Sequence, residues 1–210
     1  DHLMSCHIAQ GVTALLVRRF RTGEGGQVET SLLEGMLDLQ FELLSTKLND
    51  NSITVQRHGE HSAHAFLAAP YGTYPTTDGY LAIAMNPVDR IGELLGITEL
   101  AGMHDPEDWW TQQAQIEEIL ATHLKTQSRE HWLEILDAAD IWCAPVLTLD
   151  ELLVHDGFKA IDMVQTINRD DVSIHTTRAP LRIDGAPLRS GRPSPRLGEH
   201  TEAVRAEFTA

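Results

Sequence analysis

The stretch Tyr71-Gly72-Thr73-Tyr74-Pro75-Thr76-Thr77-Asp78-Gly79-Tyr80-Leu81-Ala82-Ile83-Ala84-Met85 alternates in side-chain character on both sides of Thr77-Asp78-Gly79. Alternation is the two-residue period of a half-buried strand, and Asp-Gly accepts the positive φ of a tight turn. The pattern predicts a β-hairpin with strands at 71–76 and 80–85. Downstream, apolar spacing predicts helices at 88–95, 106–124 and 128–138, with Ser128 as a cap. A buried strand follows at 141–146, then a short helix at 149–155 and strands at 163–167 and 172–175. Residues 178–196 are rich in Pro, Gly and Arg and read as extended, with a last helix at 199–208.

Upstream of the hairpin, Leu3, Met4, Ile8, Val12, Leu15, Leu16 and Val17 recur at helical spacing over 2–20. The positions between them are small, so this helix is expected to pack on more than one side. Arg18, Arg19 and Arg21 suit the negative end of its dipole, and Gly23 offers a left-handed stop. Residues 27–30 read as a short strand, and Thr30 or Ser31 caps a helix over 32–48. Residues 56–70 are irregular and His-rich. The expected class is α/β, with a small α+β unit in the middle and partition points that divide the chain into 1–55, 56–160 and 161–210.

Sixteen Lys and Arg against 31 Asp and Glu leave a net charge of −15. So acidic a surface repels phosphate backbones and anionic lipid, which argues against nucleic acid or a membrane as partner. No apolar run approaches the ~20 residues that span a bilayer, and two cysteines, Cys6 and Cys143, suit a reducing compartment. A cytoplasmic protein is expected. The chain opens at Asp1 inside a helical pattern, which reads as a truncation or a cut.

Few residues declare chemistry. His58, His61 and His64 are spaced by three, which does not align three ligands on one helical face, and Gly59 argues for a loop. A solvated or substrate-facing segment is the better reading than a metal site. Thr22-Gly23-Glu24-Gly25-Gly26 follows a helix and carries no Lys-Ser/Thr pair, so it is a turn and not a phosphate cradle. Cys143 and Cys6 read as inert core thiols, Trp109-Trp110 as packing, and Asp1 as a helix cap.

The ordered string changes this picture. Asp1, a helix ending Arg19-Phe20-Arg21-Thr22-Gly23-Glu24-Gly25, then Gln27-Val28-Glu29-Thr30-Ser31-Leu32-Leu33-Glu34, resembles the family III CoA-transferases, whose fold the α-methylacyl-CoA racemases share. The likeness continues through Arg57-His58-Gly59, Pro70-Tyr71-Gly72-Thr73-Tyr74 and Thr77-Asp78-Gly79-Tyr80. It ends in Arg178-Ala179-Pro180-Leu181-Arg182 and Pro195-Arg196-Leu197-Gly198-Glu199-His200-Thr201.

The resemblance implies the C-terminal part of that fold, without the N-terminal Rossmann-like segment that supplies most coenzyme A contacts. Residues 1–55 and 161–210 would then belong to a large domain and 56–160 to a small α+β domain. Asp1 falls on the family's catalytic aspartate, a covalent nucleophile toward an acyl-CoA thioester. Gly59 and His61 fall where the family carries a flap over the substrate. Coenzyme A is implied as co-substrate, with no covalently bound cofactor and no metal. Acyl-CoA and a small carboxylic acid are the implied ligands, and the implied partner is a second, interlocked copy or an N-terminal CoA-binding segment. The chain alone is expected to be inactive. Two alternatives stand beside transfer: acyl-CoA racemisation by α-proton transfer, and a non-catalytic assembly role for the same fold.

Overall fold

The structure is a computed structural model that describes residues 1–56 and 59–208. The chain forms two compact units, Asp1–Pro145 and Val146–Ala210.

The first unit opens with α1 (His2–Thr22), which stops at Gly23 in the left-handed region (φ 81), its N–H returning to the Arg19 carbonyl. Residues 27–30, expected as a strand, have no ladder partner among the described residues. They instead run back along α1, where Val28 packs so tightly on Gly11 that a Cβ there would lie 2.8 Å from the Val28 Cγ1. Ser31 caps the next helix by accepting the Glu34 N–H. The single helix expected over 32–48 is two: α2 (Leu32–Leu39) and α3 (Phe41–Asn49), broken where Gln40 leaves helical ψ (φ −101, ψ 17).

β1 (Tyr71–Pro75) and β2 (Tyr80–Ala84) form the expected hairpin in antiparallel register, Tyr71 opposite Ala84 and Pro75 opposite Tyr80. Its turn is tied down from within and without. The Asp78 Oδ1 accepts the Thr76 hydroxyl at 3.0 Å and the Arg129 N–H at 2.8 Å, and the Thr77 N–H donates to the Gln127 carbonyl.

Helices α4 (Val88–Leu95), α5 (Thr98–Ala101), α6 (Pro106–Thr111), α7 (Gln113–Leu124) and α8 (Arg129–Asp137) follow. α6 and α7 were expected as one helix. They part at Gln112 (φ −109, ψ 22), the same local departure as at Gln40. α5 went unread because four residues carry too little periodicity. It sits so close to α4 that a Cβ on Gly92 would meet the Ala101 nitrogen at 2.2 Å, which only glycine tolerates. β3 (Cys143–Val146) completes a three-stranded sheet in the order β1-β2-β3. Tyr74, Leu81 and Ile83 from the hairpin meet Ile91, Ile116 and Leu120 from the helices in one apolar cluster.

In the second unit, α9 (Leu149–Val154) starts from a capping box between Thr148 and Glu151, and α10 (Asp156–Ile161) ends at Asp162 in the left-handed region. β4 (Val164–Arg169) and β5 (Val172–Thr177) pair antiparallel. The tail expected to be wholly extended contains a small second hairpin, β6 (Arg182–Ile183) and β7 (Ala186–Pro187), before α11 (Thr201–Phe208). Arg178 is the knot of this unit, 5% exposed. Its guanidinium donates to the carbonyls of Ile161 at 2.7 Å, Asp162 at 2.8 Å and Ala179 at 2.7 Å. Two of those carbonyls close α10, where the helix dipole is negative and a cation is stabilised. No helix among the described residues is long and apolar enough to cross a membrane.

Candidate functional site

Asp1 stands at the N-cap of α1. Its carbonyl accepts the Ser5 N–H at 3.0 Å and the Ser5 hydroxyl at 3.2 Å, but its carboxylate caps nothing. The capping role read from sequence is therefore performed by the backbone. The side chain is exposed and carries no hydrogen bond or ion pair among the described residues. A carboxylate not committed to its own helix is free to meet another group.

The segment that holds Gly59 and His61 lies along the free edge of β1. Ser62 bridges Gly72, the Ala63 N–H donates to the Tyr71 carbonyl, and the Thr73 N–H donates to the His61 carbonyl. His58 lies outside the described residues. His61 and His64, three residues apart, are in different chemical states. The Nδ1 of His61 is 3.0 Å from the Thr73 carbonyl. A carbonyl only accepts, so Nδ1 carries the proton and, in the neutral ring, Nε2 keeps a lone pair. That nitrogen has no partner among the described residues. His64 is reversed: its Nδ1 accepts the Phe66 N–H at 3.0 Å, so Nε2–H faces the Glu42 Oε2 at 3.2 Å. Both of its nitrogens are used within the fold. His61 is the chemically open imidazole and His64 the structural one.

Behind this segment lies a set of buried polar groups. Tyr74 is fully buried, and its hydroxyl has no hydrogen-bond partner among the described residues. Burial first, and the Glu117 carboxylate second, push its phenol well above the ordinary value. Gln113 and Glu117 are each 2% exposed on α7, and the Gln113 side-chain amide donates to the Leu67 carbonyl. A Cβ on Gly59 would come within 2.8 Å of the Glu117 Oε2. Sequence reasoning passed over these residues, although a signal existed. Gln113 and Glu117 are four apart and share the face that carries Ile116, Leu120 and Leu124, so polar groups interrupt an apolar stripe.

Asp1 makes no hydrogen bond to Gly59 or His61. Among the described residues no three His, Cys, Asp or Glu side chains are grouped to hold a metal ion. Cys143 is half-buried and its thiol is pushed up by burial and then by Asp137, as suits an unreactive group. Cys6 is exposed on α1, against the expectation of a core thiol: only Met4 of that helix is buried, and among the described residues the face that carries Cys6 is left uncovered. Trp109 packs on the core as expected and donates its indole N–H to the Met103 carbonyl at 2.7 Å, while Trp110 is 41% exposed.

Residues 1–201 match the model of CoA-transferase family III. The chain is 30% identical over 207 residues to human alpha-methylacyl-CoA racemase, covering 95% of this chain and 52% of that protein. It is 26% identical over 217 residues to the succinate–glutarate CoA-transferase of Agrobacterium fabrum, covering 99% and 53%. The fold superposes on a crystal structure of a CaiB/BaiF family protein from Brucella suis with a TM-score of 0.70 at 28% identity, over 91% of this chain and 50% of that one. The chain thus spans about half the length of the curated relatives it matches. With the match running through nearly every described element, from the helix that begins beside Asp1 to the start of α11, the chain belongs to CoA-transferase family III.

Proposed function

We propose that this chain forms the C-terminal part of an enzyme that moves coenzyme A between an acyl-CoA thioester and a carboxylic acid, with Asp1 as the covalent nucleophile. The observation that carries the reading is the family match from residue 1 to residue 201, which takes in Asp1 and the segment paired along the free edge of β1. Two features support it. The Asp1 carboxylate is exposed and uncommitted. α1 keeps Val12, Leu16 and Phe20 exposed at 45%, 45% and 87%, an apolar face of the kind that a further part of a longer protein would cover.

In this reading the carboxylate oxygen of Asp1 attacks the thioester carbonyl, the C–S bond breaks, and a mixed anhydride forms as the CoA thiolate leaves. The thiolate then attacks the aspartyl carbonyl, releasing the donor acid and leaving an aspartyl-CoA thioester. The acceptor carboxylate attacks this thioester, and the returning thiolate takes the acceptor's acyl group, restoring the free carboxylate. Gly59 and His61 face the substrate, with the Nε2 lone pair of His61 accepting a hydrogen bond. The divisions 1–55, 56–160 and 161–210 correspond to the large, small and again large domains of the complete protein, which pairs with a second copy.

A second reading, acyl-CoA racemisation, is favoured by the 30% identity to the human racemase. One experiment separates them. The longer protein containing this chain is incubated in deuterated water with an acyl-CoA and a labelled carboxylic acid. Transfer moves CoA to the labelled acid without deuterium at the α-carbon, and Asp1→Asn abolishes it. Deuterium at the α-carbon without CoA exchange overturns transfer in favour of racemisation.

A further inference from the structure

Glu42 lies in the first turn of α3, a helix that buries none of its nine residues. Across from it, His64 follows the segment paired along β1. The His64 Nε2 is 3.2 Å from the Glu42 Oε2, a contact between residues 22 apart in sequence. The imidazole is not a loose surface arm. Its side chain is 28% exposed and stands edge-on to the Tyr71 ring, with centroids 5.9 Å apart. Its Nδ1 accepts the Phe66 N–H at 3.0 Å. These contacts set the rotation of the ring, so the direction of Nε2–H is fixed before Glu42 is met. Residue type matters here: a neutral imidazole accepts on one nitrogen and donates on the other, whereas Lys and Arg only donate.

A half-exposed pair adds little to stability, so what it supplies is placement. α1 is tied to α2 by another histidine–carboxylate pair, His7 Nε2 to Asp38 Oδ2 at 3.2 Å, and α2 runs into α3 through Gln40. Asp1 stands at the head of α1. On the other side, the Ser62 hydroxyl donates to the His64 carbonyl at 3.2 Å, and the edge pairing leads back to His61, whose Nδ1 is on the Thr73 carbonyl. A continuous run of contacts therefore joins Asp1 to His61, and His64–Glu42 is its step from the opening helices to the hairpin.

We infer that His64 is a positioning residue: through Glu42 it fixes the helices that carry Asp1 against the segment that carries His61. The inference rests on the transferase reading only for its consequence in turnover; the joint itself is a property of this chain.

The test uses the longer protein containing this chain and separates the two imidazole nitrogens. His64→Asn keeps an acceptor for Phe66 but cannot reach Glu42, and His64→Gln keeps a donor for Glu42 but leaves the Phe66 N–H without its acceptor. Hydrogen exchange is read over α3 and at the Phe66 amide. His64→Asn raises exchange in α3 by about threefold with Phe66 and β4–β5 unchanged, and His64→Gln does the reverse. His64→Asn also lowers kcat by about tenfold with KM for acyl-CoA within about twofold, because substrate still binds but meets a displaced partner group. His64→Gln keeps kcat within about threefold of wild type. Glu42→Ala repeats the effect of His64→Asn, and the double variant is no worse than either single. Glu42 is exposed, so its variant folds and decides alone if those of His64 do not. Wild-type α3 exchange and kcat in Glu42→Ala overturn the inference, as do additive losses in the double variant. A wild-type protein without CoA transfer refutes the transferase reading, and the exchange measurement then decides the joint by itself.

Discussion

Helix α1 runs for 21 residues and buries one of them, Met4, whereas α7 buries six of its twelve. Both are apolar enough in sequence to fill a core. The difference lies in what surrounds them: α7 is covered by the hairpin, while the apolar side chains of α1, α2 and α3 are left on the surface. Ile8, Phe20, Leu33 and Leu48 are 47%, 87%, 68% and 84% exposed. Apolar composition is thus no measure of how much core a region makes for itself. The middle of the chain buries its apolar residues among themselves, and the first helices leave theirs on the surface.

The contrast can be broken by mutation. In the 210-residue chain, Leu120→Ala should destabilise the first unit by about 2–5 kcal/mol, since it opens a cavity at a 1%-exposed site. Urea unfolding followed by the fluorescence of buried Trp132 would read it. Arg178→Ala should cost the second unit about 2–4 kcal/mol, because three carbonyls lose a charged donor in a 5%-exposed position. Arg178→Lys should recover little of this, since an ammonium cannot reproduce the planar fork. Proteolytic nicking within 146–208 at rising urea would measure both.

Leu16→Ala on α1 should shift stability by under about 1 kcal/mol in this chain and by more in the longer protein. Equal, large losses in both would show that α1 is already covered here. The smallest effect is electrostatic. Asp78 is held below the ordinary carboxylate range, first by the Arg129 amide and also by the Thr76 hydroxyl. A folded value below the unfolded one adds stability above the unfolded value of about 3.9, which is lost as pH falls through the folded value. Asp78→Asn should therefore lower the first unit's stability slightly at neutral pH and leave it nearly unchanged at the acid end, flattening the acid limb between them, as acid titration of the two proteins would reveal.

The hairpin was legible because Asp78-Gly79 and the alternation around it are local signals, and Ser31, Ser128 and Gly23 fixed helix ends for the same reason. The breaks at Gln40 and Gln112 were not, since each glutamine continues the helical period while only its ψ departs. Residues 27–30 alternate like a strand but find their partner in the bare backbone of Gly11, a tertiary fact that local pattern does not carry. At the candidate site, residue types gave three histidines of equal standing. What separates His61 from His64 is the direction of a hydrogen bond, Nδ1 donating in one and accepting in the other. Asp1 was singled out by family resemblance, because a single aspartate before a helix has no chemical signature of its own.

The most direct test of the account is the mass of the peptide that begins at Asp1, recovered from the longer protein after rapid quenching with acyl-CoA. An adduct of coenzyme A or of the acyl group on the Asp1 carboxylate, removed by hydroxylamine and missing in Asp1→Asn, is the predicted result. An unmodified peptide throughout turnover, with CoA exchange persisting in Asp1→Asn, would contradict it.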